Sequence, residues 1–158
     1  RTVFGYPGVI DPSLKGCLVL LSGFELERAT KLITLFDPDT LAIGSGVDPI
    51  CDNHLLAMKF FAERFERWER EYKNSSCMKF SFSCSDVNAT MKQIREVIST
   101  KTDYNFIIVP LNTKLSTVAV ALVALEDERI QVCYAIPEAY NYEAYSQPSD
   151  LVTMFDLE

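Results

Sequence analysis

Short apolar runs alternate along the chain with longer stretches whose apolar residues recur every three or four positions. The first pattern marks strands covered on both faces, the second amphipathic helices. Runs over 17–21, 40–43, 78–84, 106–110 and 130–136 predict five strands, and 151–157 predicts a last one at a sheet edge. Helical spacing falls between them. Leu26, Ala29, Leu32, Ile33 and Phe36 predict a helix over 24–36, stopped by Asp37-Pro38-Asp39. Ala57, Phe61, Phe65, Trp68 and Tyr72 predict the longest helix, from a cap at Asp52 or Asn53 to about Lys73. Val87, Met91, Ile94, Val97 and Ile98 predict a third, capped by Asp86, and Leu115, Val118, Ala119, Leu122 and Leu125 a fourth.

Strands alternating with helices make an α/β fold, a Rossmann-like three-layer α/β/α arrangement around a mostly parallel sheet of five or six strands. Right-handed crossovers then place every strand-to-helix turn at one edge of that sheet. Residues 1–16 hold Gly5, Gly8, Gly16, Pro7 and Pro12 and read as an irregular lead-in or linker, with a single domain over 17–158. The start at Arg1 instead of methionine suits a domain excised from a larger protein, with an upstream domain as its covalent partner, or a processed product.

Four turns meet at the predicted edge: Ser22-Gly23, Gly44-Ser45-Gly46, Ser83-Cys84-Ser85-Asp86, and Asn112 to Thr117. All are small or hydroxyl-rich, and in open α/β sheets ligands bind outside the carboxyl ends of the strands. Thr113 can cap the fourth helix, leaving Ser116 or Thr117 near its free N–H groups. Lys114 would stand in the first turn, where the helix dipole disfavours a cation by about 0.3–1 kcal/mol. A bound anion reverses that penalty, because N–H groups and an ammonium converge on it. The plainer alternative is a solvated lysine beside ordinary capping residues. The candidate ligand contacts are Ser22, Gly23, Gly44, Ser45, Gly46, Ser85, Asn112, Thr113, Lys114, Ser116 and Thr117.

Composition narrows the ligand and the setting. With 48% hydrophobic residues over 158 positions the chain is not disordered, and a net charge of −7 argues against nonspecific binding to a nucleic-acid backbone. No apolar run is long enough to span a membrane, so no membrane partner is expected. The five cysteines are odd in number and form no CxxC pair, which favours a reducing cytoplasm. The GxGxxG fingerprint, Walker turn, GxSxG elbow, HExxH helix and clustered carboxylates are all absent, so no cofactor or metal is expected.

Three functions fit this pattern. The first is a nucleotide-binding or nucleotide-sensing module for a phosphate-bearing ligand. The second is a phosphoesterase or nucleotide hydrolase drawing on Ser22, Ser45, Ser85, Asp86, Lys114 or Ser116. The third is an interaction or dimerisation domain using Phe60 and Trp68, or the tyrosines of 139–146. His54, the sole histidine, is a weak candidate ligand or base.

The Asn112-Thr113-Lys114 turn, between an apolar strand and an apolar helix, resembles the Gly-Thr-Lys turn of CRISPR-associated Rossmann-fold (CARF) sensor domains. The Leu21-Ser22-Gly23 turn is similar to the first ligand-contacting turn of that family; Asn112 stands where the family has glycine. The resemblance implies a prokaryotic defence sensor that binds a cyclic oligoadenylate, works as a homodimer and signals to an attached effector domain. Some members of that family also cleave the ligand slowly.

Overall fold

The computed structural model describes residues 1–23, 26–47 and 54–134, together with 136, 152 and 154, but not the side chains of Leu26 and of 54–57. The elements alternate throughout: β1 (Lys15–Ser22), α1 (Leu26–Phe36), β2 (Thr40–Gly46), α2 (His54–Glu71), β3 (Ser76–Phe82), α3 (Val87–Ser99), β4 (Tyr104–Pro110), α4 (Lys114–Glu126) and β5 (Ile130–Val132). The strands form one sheet in the order β3-β2-β1-β4-β5, every pairing parallel. This is the Rossmann-like α/β architecture that the alternating pattern predicts.

The two faces of the sheet carry different helices. Ala29, Leu32 and Ile33 of α1 join Phe65 and Trp68 of α2 over Leu18, Leu20, Leu41 and Ile43. On the other face, Ile94 and Val97 of α3 join Ala119, Val120 and Val123 of α4 over Cys17, Val19, Leu21, Phe106 and Ile108. Leu18 to Leu21 are completely enclosed, so β1 is the central strand and must be apolar on both sides.

Several expectations from sequence change here. Gly44-Ser45-Gly46 is not a turn: it is the end of β2, paired with Phe80 to Phe82 on one side and, through Gly44 and Ser45, with Leu21 and Ser22 on the other. A Cβ on Gly44 would lie 2.6 Å from the Phe80 ring, so aromatic packing explains the glycine there. The strand expected over 130–136 ends at Val132, and Cys133 instead bridges antiparallel to Thr2. The lead-in is irregular, as its glycines and prolines predict, yet it lies along β5 and does not hang free. The Val3 N–H donates to the Val132 carbonyl (2.9 Å), the Val132 N–H to Tyr6 (3.2 Å) and the Val9 N–H to Glu128 (2.7 Å). It thereby covers an edge whose backbone groups would otherwise be open to pairing.

Trp68 is 1% exposed, and its indole N–H donates to the Thr30 hydroxyl at 3.2 Å. The expected docking surface of Phe60 and Trp68 therefore does not exist: Trp68 belongs to the core, and only Phe60 reaches solvent. The tyrosine loop at 139–146, the caps expected at Asp52 or Asn53 and the strand at 151–157 lie outside the described residues, apart from exposed Val152 and Met154. The His54 side chain lies outside them too. No described helix is long and apolar enough to cross a membrane.

Candidate functional site

The strand order reverses between β1 and β4. The chain first builds outward from β1 through β2 to β3, then returns to the other side of β1 as β4. At such a switch point the two following turns diverge to opposite faces and leave a crevice above the strand ends. Here the two turns are Ser22-Gly23 after β1 and Leu111-Asn112-Thr113 after β4, and they lie against each other.

Asn112 ties this rim together. Its Nδ2 donates to the Ser22 carbonyl at 2.6 Å, and its Oδ1 accepts the Thr113 N–H at 2.8 Å and the Cys84 thiol at 3.3 Å. The Thr113 hydroxyl donates to the Cys84 carbonyl at 2.8 Å. Three turns, those after β1, β3 and β4, are thus joined by two side chains. Asparagine suits the position because its amide both donates and accepts. The turns approach very closely: a Cβ on Gly23 would lie 2.0 Å from the Leu111 carbonyl oxygen, and one on Gly46 2.1 Å from the Cys84 sulfur.

Thr113 caps α4 as expected, its Oγ1 accepting the Ser116 N–H at 3.2 Å. Asp86 caps α3 in the same way, accepting from Ala89 at 2.9 Å. Lys114 opens α4 with an exposed side chain and has no ion-pair partner among the described residues. The N–H groups of Lys114 and Leu115 also find no acceptor among the described residues. Two N–H groups without an acceptor among the described residues and an exposed lysine therefore stand together at the start of α4, an arrangement that attracts anions.

The other candidates divide. Ser22 and Ser45 are register partners at the ends of β1 and β2, so their side chains stand next to each other on the α1/α2 face. Ser22 is 8% exposed and Ser45 is half-buried. Ser85 is exposed in the turn before α3. Thr117 is exposed, but its hydroxyl donates to the Thr113 carbonyl at 3.1 Å. Ser116 is buried, with its hydroxyl also given to that carbonyl at 2.8 Å, so it packs the first turn beneath the rim. Gly44 is likewise buried, under the Phe80 and Phe82 rings.

Two rim residues are missing from the candidate contacts. Cys84 falls in the turn expected at this edge, but as a small apolar residue closing the strand; it sits past the end of β3 and donates to Asn112. Arg64 is one charge among many on α2, but its Nη1 donates to the Gly23 carbonyl at 3.0 Å. Partial burial lowers its pKa from the usual guanidinium value, and it remains a cation at the turn after β1. No local signal marks either contact, because both join segments far apart in the chain. Among the described residues no three His, Cys, Asp or Glu side chains gather closely enough to hold a metal. In comparison with known proteins, the chain matches no protein-family model and no curated relative.

Proposed function

We propose that this protein is a nucleotide-binding or nucleotide-sensing domain that takes a phosphate-bearing ligand at the carboxyl edge of its sheet. The observation that carries this reading is the placement of Lys114. Its exposed side chain and the two N–H groups of the first turn of α4 that lack an acceptor among the described residues stand at the end of β4, beside the switch point between β1 and β4. A phosphate there would offset the unfavourable position of a cation at a helix N-terminus and satisfy both backbone donors. Arg64 at Gly23 adds a second cation, and the Ser22 and Ser45 hydroxyls supply polar contacts on the α1/α2 side. The likeness of the two turns to those of CARF domains makes a cyclic oligonucleotide the first ligand to try, in a cytoplasmic defence setting with a linked effector domain.

The test is a thermal-shift screen of nucleotides and cyclic oligonucleotides on the wild type and Lys114→Ala. A ligand at about 100 times its Kd stabilises by about 2.7 kcal/mol, a rise in Tm of roughly 5–10 °C for a chain of this size. Lys114→Ala should lower affinity by about tenfold or more, as expected for a lost charge-assisted contact. Absence of any shift from an anionic ligand, or equal shifts in both proteins, would overturn the assignment. Chromatography of the same mixtures decides between a sensor and a nucleotide hydrolase: turnover that Lys114→Ala or Asp86→Ala abolishes would move the protein to the enzyme class.

A further inference from the structure

The exposed side of α2 changes character along its length. From Glu63 onward it is charged, with Glu66, Arg67 and Glu69 open to solvent. Before Glu63, Met58 and Phe60 are exposed instead, on either side of Lys59. Helix α2 joins two parallel strands, so it runs back from the carboxyl edge of the sheet, and this apolar end is the one at that edge. Arg64 fixes the level, because its Nη1 donates to the Gly23 carbonyl at 3.0 Å in the turn after β1. Phe60 lies four residues earlier, so it stands about 6 Å further out along the helix axis at 1.5 Å per residue. Val47, just past the end of β2, is exposed at the same edge.

The Phe60 ring is also backed by a cation. The Arg64 guanidinium carbon lies 5.9 Å from the ring centroid while Nη1 stays on Gly23. The ring quadrupole attracts a cation in that position. An aromatic plane and a planar cation therefore stand over the rim, next to Ser22 and its register partner Ser45. Planar heteroaromatic groups bind such pairs by stacking, an interaction open to every nucleobase.

We propose that Phe60, backed by Arg64, is the stacking platform for the base of a nucleotide whose phosphate lies at Lys114. The assignment rests on the nucleotide reading above and narrows it, because it demands a ligand with a base and excludes sugar phosphates and inorganic polyphosphates. It also sets the shape of the ligand. Phe60 belongs to the helix pair on one face of the sheet and Lys114 to the pair on the other, so the ligand must reach across the edge. Gly23, held by Arg64, packs on Leu111 and Asn112, two positions before Lys114, and forms the ridge between the two subsites. A nucleoside triphosphate or an oligonucleotide is extended enough for this; a monophosphate is not.

Isothermal titration calorimetry tests the platform with ATP, a cyclic oligoadenylate and inorganic tripolyphosphate, which has no base. Phe60→Ala should weaken binding of the base-bearing probes by at least about tenfold, with tripolyphosphate binding and Tm unchanged. Phe60→Trp keeps a stacking plane and should retain the wild-type affinity. Lys114→Ala should weaken all three probes. Base-bearing probes that bind Phe60→Ala as tightly as wild type, yet still depend on Lys114, would overturn the platform and leave the phosphate site standing. An equal loss of tripolyphosphate binding in Phe60→Ala would also overturn it, because the ring would then only shape the edge. A wild type that binds tripolyphosphate alone would exclude a base, and one that binds none of the three would overturn both readings.

Discussion

Replacing Gly23 with alanine should cost about 3 kcal/mol or more, seen as a fall in Tm of roughly 6–12 °C. The added Cβ would sit 2.0 Å from the Leu111 carbonyl oxygen and 3.1 Å from its carbon. Both contacts are backbone, so no rotamer change can relieve them. The surrounding structure cannot slide away either: the Leu111 N–H donates to Leu21 at 3.0 Å, and Asn112 holds the Ser22 carbonyl. Relief requires the ends of β1 and β4 to part, which breaks those bonds and distorts the edge beside Lys114. Gly23→Ala should therefore also lose the ligand-induced rise in Tm. An unchanged Tm would show that the two turns are not in contact.

Trp68→Ala should be the most destabilising single truncation in α2, about 3–5 kcal/mol by chemical denaturation followed by circular dichroism. The indole is 1% exposed between α1 and the sheet, beside Phe65, so its removal leaves a large cavity. The same change deprives the Thr30 hydroxyl of its donor. Phe60→Ala, two turns earlier on the same helix and 40% exposed, should stay within about 0.5 kcal/mol of wild type. The contrast separates a core residue from a surface one within a single helix. Because Trp68 is the sole tryptophan, wild-type emission reports directly on this pocket. A red-shifted, solvent-like spectrum would contradict the burial, as would a Trp68→Ala cost no greater than that of Phe60→Ala.

The two faces of α2 also show where periodicity is a reliable guide. The stripe Phe61, Phe65, Trp68 and Tyr72 does pack inward, because charged residues fill the intervening positions and leave a single apolar side. Helix α4 has no such contrast. From Val118 to Leu125 it carries no polar residue, so spacing alone cannot choose the buried face. The set Leu115, Val118, Ala119, Leu122 and Leu125 is as regular as the fully buried one and shares Ala119 with it. Packing against α3 and β4 buries Ser116, Ala119, Val120 and Val123 fully and half-buries Leu115, Val118 and Leu122 against the same core, so of the expected set only Leu125 is left outside. A buried serine at this point is tolerated because its hydroxyl bonds within the first turn.

Gly44-Ser45-Gly46 errs in the other direction. Glycine and serine commonly mark turns, but here β2 continues through them between two neighbouring strands. The Phe80 and Phe82 rings fill the space where side chains would stand, and that requirement comes from β3, some thirty-five residues further along.

The amino-acid order alone determines the alternation of strands and helices, the parallel sheet that follows, and the caps at Asp86 and Thr113, since each depends on interactions within a few residues. Tertiary structure decides the rest: the strand order that sets β1 beside β4, the meeting of Asn112 with Ser22 and Cys84, the approach of Arg64 to Gly23, and the outward side of α4. These contacts join segments separated by tens of residues. Their free energy is gained only when the sheet closes, so no local pattern encodes them.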